Sequence, residues 1–244
     1  MTYADALRAE WTKLRTTRAA LWSAITLIVT TAGLSLYASG SVTCPCATDT
    51  MKLALTGIQL GQAVAALLAV GVLGGEYSTR MITVTLTAMP SRLTVLAAKA
   101  TLVALVTGTA GALAVGLSYL AGRALLGDDL PHVVARPVGG SVVYLVLIAL
   151  LGLGATAATR SPAAATGLVL GLLYVAPIVA AVMPDPAWRR HLRQISPADA
   201  GLAVQATTGL DKLPISPWAG LGVVALWAVA ALAAGAVVLH RRDA

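Results

Sequence analysis

Charge is scarce in this sequence. Of its 244 residues only 11% are charged, against 58% hydrophobic, and the mean hydropathy is +0.83. No water-soluble domain of this size needs so much apolar surface, so the chain reads as an integral membrane protein. It has only two cysteines, Cys44 and Cys46, so there is no disulfide framework, and no Cys–His spacing matches a zinc site. It lacks a G-x-x-x-x-G-K-[ST] phosphate loop, so it cannot hydrolyse ATP alone. All ten acids and all three histidines (His132, His191 and His240) fall outside the long apolar runs or at their ends. Proton-coupled carriers keep such groups in the membrane interior, so their absence there counts against a secondary carrier. It counts equally against an intramembrane Ser–His protease, for want of a base. No catalytic residue is expected. Polar stretches are under about 35 residues, too short for a soluble domain, which leaves one membrane domain over 1–244.

What is there follows a regular order. Tyr3, Leu7, Trp11 and Leu14 recur at helical spacing among Arg8, Lys13, Arg15 and Arg18, which predicts an amphipathic helix over 1–18, lying flat on the membrane. Thr2-Tyr3-Ala4-Asp5 fits a capping box at its start. A secretory signal is the competing reading, opposed by Glu10, Trp11 and a following apolar run too long for a signal core. Apolar spans are expected at about 19–38, 53–73, 94–120, 138–158, 163–183 and 218–239, the first matching a hydrocarbon core of ~30 Å at ~1.5 Å per residue. Lys99 stands near one end of the third span, placed to snorkel. Between the spans lie a Cys44-Pro45-Cys46 loop, a polar segment over 74–92 and a longer one over 184–217.

Six spans put both ends on one side. That side has ten of the Lys and Arg residues against seven on the other, with the densest cluster at the first helix. By the positive-inside rule both termini are cytoplasmic, in a multi-pass protein of the cell membrane. The net charge of +7 is then an anchoring bias, and no nucleic acid is expected as partner.

The segment Gly74 to Arg92 reads G-G-E-Y-S-T-R-M-I-T-V-T-L-T-A-M-P-S-R. Ser78 and Thr79 can cap a helix begun after Gly75, Met81, Ile82, Val84 and Leu86 give it an apolar side, and Pro90 ends it. A plainer reading is a polar loop with Glu76 paired to Arg80 across one turn. Together with E-W-T-K-L-R-T-T-R at Glu10 to Arg18, with Lys99 and with the six-span layout, this segment resembles the permease subunit of type-2 ATP-binding-cassette (ABC) exporters. The resemblance covers essentially the whole chain. It departs at Arg80, where relatives often have glycine or another small residue.

The resemblance implies an all-α membrane protein with six transmembrane helices, an N-terminal interfacial helix, a cytoplasmic coupling helix between spans 2 and 3, and polar extracellular helices before span 6. It implies two separate ATPase subunits per complex and a second permease chain, identical or homologous. No cofactor is expected in this chain, since ATP and Mg belong to the ATPase. The docking residues would be Glu76, Tyr77, Ser78, Thr79, Arg80, Met81, Ile82 and Leu86. The cargo would be an amphipathic drug-like, peptide or lipid-type molecule, moved out of the cell. A non-transporting membrane sensor or immunity component that binds a ligand is the alternative.

Other residues have two readings each. Gln59 and Gln62 share a face of the second span and could line an export path; an interhelical hydrogen bond explains them as well. Trp188, Arg189 and Arg190 suit extracellular recognition of an acidic ligand or contact with lipid headgroups. Three Gly-x-x-x-Gly pairs, 57/61, 71/75 and 167/171, are near the number that 23 glycines produce by chance. Cys44 and Cys46 could form a very tight ring, pair between chains, stay free, or join His132 or His191 at a metal.

Overall fold

A computed structural model of the chain describes residues 2–42, 49–79, 81–88, 91–127, 130 and 135–241, with residues 84–86 and 88 as backbone only. Arg80, Cys44, Cys46 and His132, and the readings that fall on them, lie outside the described residues. Among the described residues the protein is helical throughout, with no strand. Six helical rods are long and apolar enough to cross a membrane: Arg18–Ser41, Ile58–Ser78, Arg92–Leu126, Ala135–Thr159, Pro162–Val182 and Pro217–Arg241.

In chain order, α1 is Tyr3–Thr16 and α2 is Arg18–Ser41. The capping box is present: Asp5 N–H donates to Thr2 Oγ1, and Thr2 N–H donates to Asp5 Oδ2 at 2.9 Å. A short α3, Thr50–Ala54, is N-capped by Asp49, and α4 runs Ile58–Ser78. The second span therefore starts and ends about five residues later than expected. The shift has a local cause at each end. Leu55 leaves the helical region, and at the far end Ser78 Oγ and Thr79 Oγ1 both donate to the Gly75 carbonyl. These two hydroxyls close α4 and do not open the next helix, as the sequence had suggested.

Next come α5, Met81–Ala88, and α6, Arg92–Leu126. At 35 residues α6 is about 52 Å long, more than a hydrocarbon core is thick, so its ends reach into the interfacial layers. α7 is Gly140–Thr159; α8, Pro162–Leu170, continues through a π-wound stretch into α9, Ala176–Val182. Pro177 lacks an N–H for the regular ladder, and the winding widens just ahead of it. Then follow α10, Pro186–Ile195, α11, Pro197–Leu202, and α12, Pro217–Arg241.

The core forms around α4 and α7, the most buried of the six rods. Close approach depends on glycines facing backbone. A Cβ on Gly152 would come within 2.8 Å of the Ala66 carbonyl oxygen, and one on Gly235 within 3.0 Å of the Gly154 carbonyl oxygen. Gly57 and Gly61 seat α4 against α2 at Thr31, so this glycine pair is a seam within the chain. The pairs 71/75 and 167/171 face open space. At the end carrying both termini, Arg92 and Arg160 donate to the last carbonyls of α12, at Leu239 and Val238.

Candidate functional site

Four charged side chains from three helices meet at the terminal end of the bundle. Lys99 Nζ, on α6, lies 2.5 Å from Glu10 Oε2 of α1 and 2.7 Å from Glu76 Oε1 of α4. Lys13 Nζ, one turn beyond Glu10, lies 2.8 Å from Glu10 Oε1 and 3.0 Å from Glu76 Oε1. Glu10, Glu76 and Lys99 are 3%, 7% and 2% exposed. Lys99 thus does not snorkel: its ammonium turns inward, because two carboxylates there replace water more completely than the interface can.

Among the described residues two acids and two bases make the cluster neutral, which is the condition under which charges are tolerated in a low-dielectric interior. Burial alone would push the Lys13 ammonium down; the hydrogen bond to Glu10 and the Glu76 charge outweigh it and hold Lys13 above its ordinary value. One acceptor is left over. Glu76 Oε2 is buried and has no hydrogen-bond partner, a state that costs about 1–3 kcal/mol when nothing compensates it.

The residues expected to dock a partner divide between two roles. Glu76, Tyr77 and Ser78 belong to the last turn of α4, and Thr79 caps it. Glu76 is committed to the cluster and Tyr77 packs against the core. On α5, Ile82 is buried at 6% while Met81 is 46% exposed. The Leu86 side chain lies outside the described residues.

At the opposite end, Gln62 is buried and its Oε1 accepts from the Tyr144 hydroxyl. The interhelical hydrogen bond is therefore made. Gln59 is exposed, and its carbonyl accepts from the Tyr174 hydroxyl. Gln59 also edges a cleft of about 450 Å³ with Asp49, Lys52, Arg193, Asp199 and Gln205. Asp49 latches the segment after α11, accepting from Thr207 N–H at 2.6 Å and from Thr207 Oγ1 at 2.7 Å. Burial would raise the Asp49 carboxyl, but these bonds hold it below the usual value. Burial raises Asp199, and Arg193 only partly offsets it.

Helix α10 buries none of its residues. Trp188 is 63% exposed and Arg190 is exposed, whereas Arg189 spends two N–H groups on the Met183 carbonyl at 3.1 and 2.8 Å. No group of His, Cys, Asp and Glu that could hold a metal occurs among the described residues.

No protein-family model matches this chain, and no curated protein matches it.

The four-charge cluster was not anticipated from the sequence, although its members all were visible. The available signal was that Glu10, Lys13, Glu76 and Lys99 form a balanced set, all flanking apolar runs on one side of a six-span layout.

Proposed function

We propose that this chain is the transmembrane permease subunit of an ABC exporter, driven by two separate ATPase subunits and paired with a second permease chain. Its termini are cytoplasmic in this reading, α1 is the interfacial helix, and α5 is the coupling helix. Helices α10 and α11 are the extracellular helices before the last span. The observation that carries the reading is the placement of α5. It is a short helix set apart between the second and third spans, at the end that holds both termini, and it directs Met81 outward.

The rest of the chemistry is consistent with energy entering from outside the chain. The sequence has no phosphate loop, so uphill movement requires a partner's ATP. The four-charge cluster fixes the root of α5, through Glu76, to both α1 and α6. A push on α5 is thereby delivered to three helices together. Packed, paired elements shift between discrete arrangements more readily than they deform. The cargo in this reading is an amphipathic molecule taken from the cytoplasmic side.

Affinity purification of the tagged chain from its own cells tests the proposal. Recovery of a nucleotide-binding subunit in equal number is expected. Recovery of the chain from its cells with no such subunit would overturn the exporter reading and favour a ligand-binding sensor.

A further inference from the structure

A cavity of about 300 Å³ opens beside the four-charge cluster, between the first turns of α2 and the last turns of α4. Its volume is at the lower end of the range for small-molecule sites. Leu68, Gly71, Val72, Gly75 and Glu76 line it from α4, at the i, i+3, i+4, i+7, i+8 spacing that makes one continuous helix face. Ala20 closes it from α2. The wall is mostly apolar, with Thr17, Ser23 and Thr79 also on it, and is charged at one end. Gly71 and Gly75 leave it wide: a Cβ on either would meet nothing within 4 Å.

We propose that this cavity binds a protonated amine carried on an apolar body, and that Lys13 occupies the amine's place when the cavity is empty. The acceptor that Lys13 holds at the charged end is Glu76 Oε1, at 3.0 Å, so a group that takes the Lys13 position must donate. A cationic N–H donor bonds a carboxylate more strongly than a neutral one. Adding a cation to a neutral cluster would leave an excess charge in an apolar setting, so binding has to be an exchange. Lys13 is the member suited to leave. Its side chain is 32% exposed, against 1% for Lys99, and its 3.0 Å contact with Glu76 is the longest in the cluster. When a ligand ammonium takes that position, Glu10, Glu76, Lys99 and the ligand form a neutral set again, and Lys13 moves toward water.

The apolar body then lies along Leu68 and Val72, within the span ends and so at the depth of one leaflet. The cavity thus suits a molecule that partitions into the membrane before it binds. This inference deepens the exporter reading by naming the cargo's chemistry, and it rests on that reading only in calling the ligand a cargo.

The test uses the full chain alone in phosphatidylcholine nanodiscs, with no ATPase. The probe is dansylcadaverine, a primary amine on an apolar fluorescent body, compared with a dansyl pentylamide of similar size that lacks the primary amine and is uncharged at neutral pH. Saturable binding of the amine, one per chain, is expected, with the neutral analogue at least tenfold weaker. Gly71→Leu fills the cavity without touching the four charges and should weaken the amine at least tenfold, while thermal unfolding of the variant shows it folded. Lys13→Ala removes the resident competitor and should tighten the amine severalfold. Equal binding of the neutral analogue, or undiminished binding by Gly71→Leu, overturns the site. Weaker or unchanged binding by Lys13→Ala overturns the exchange. Binding that behaves as described in a chain that recovers no ATPase from cells would remove the exporter reading and leave the site standing; recovery of an ATPase by a chain that fails the binding test does the reverse.

Discussion

Lys99 Nζ lies 2.7 Å from Glu76 Oε1 and joins the third span to the second, inside a cluster that includes Glu10 and Lys13. Replacing Lys99 by Met keeps the bulk and removes the charge, leaving two acids with one base. Breaking a buried pair in this way costs about 3–5 kcal/mol, because the stranded carboxylate cannot reach water. Adding Glu76→Gln restores neutrality with Glu10 and Lys13, so the double variant should recover at least half of the loss. Thermal unfolding of the purified chain in nanodiscs measures both. A double variant less stable than Lys99→Met would show that charge balance is not what holds the cluster.

The glycine pairs separate a packed seam from an open wall. A Cβ on Gly57 would overlap the Thr31 carbonyl, whereas one on Gly71 would meet nothing. Gly57→Ala should therefore force α2 and α4 apart and cost about 1–3 kcal/mol. Gly71→Ala should be neutral or stabilising by up to about 1 kcal/mol, from helix propensity alone. Comparing the unfolding of these two single-methyl variants decides the point, since equal effects would mean that the two faces are not different.

The six spans were legible because each is a long apolar run, and length with hydropathy decides that property locally. The cluster was not legible in the same way. The sequence reads Tyr3–Leu7–Trp11–Leu14 as the membrane face of α1; Tyr3 and Trp11 are 44% and 45% exposed, while Ala6 and Glu10, on the face toward the bundle, are buried. The face that turns inward is chosen by Lys99, 89 residues away, and no local period encodes that partner. Ser78 and Thr79 show the same limit at shorter range. Their hydroxyls can serve either the helix behind or the helix ahead, and the Gly75 carbonyl, left open at the end of α4, takes both. Gln62 was legible only as one of two options, until Tyr144 was placed opposite it.

Asp49 and Asp199 at the far end should respond to pH in opposite senses. The Asp49 carboxyl is held below its ordinary 3.8, so its latch stabilises the fold above 3.8 and is lost as pH falls through the folded value. Asp49→Asn should lower stability at pH 7, with the deficit closing on acidification below that point. Asp199 is raised above 3.8 by burial, so its ionised form destabilises the fold at neutral pH. Asp199→Asn should therefore raise the unfolding temperature at pH 7, and the gain should vanish as pH falls to 3.8 and below. Unfolding temperatures across pH 2 to 8 give both curves; parallel curves for the two variants would contradict the opposed burial and bonding.

The α5 segment divides docking from packing one residue apart. Met81 is 46% exposed and Ile82 is buried in the protein's own core at 6%. If α5 receives the ATPase, Met81→Asp places a charge in an apolar contact and should cut basal ATP hydrolysis by tenfold or more, with the unfolding temperature unchanged. Ile82→Ala should act the other way round, costing about 2–5 kcal/mol as a core truncation, because its methyl groups face the bundle and not the partner. Measuring ATP hydrolysis and unfolding on both variants tests the assignment of each side chain. Loss of stability at Met81 with full hydrolysis would make α5 a structural link only, and the energy input would have to enter elsewhere. Because Glu76 is buried in the four-charge cluster, its substitution moves stability and hydrolysis together. Met81 makes no ion pair in that cluster but also lines the cavity beside it, so its docking contact is read from basal ATP hydrolysis, measured without cargo.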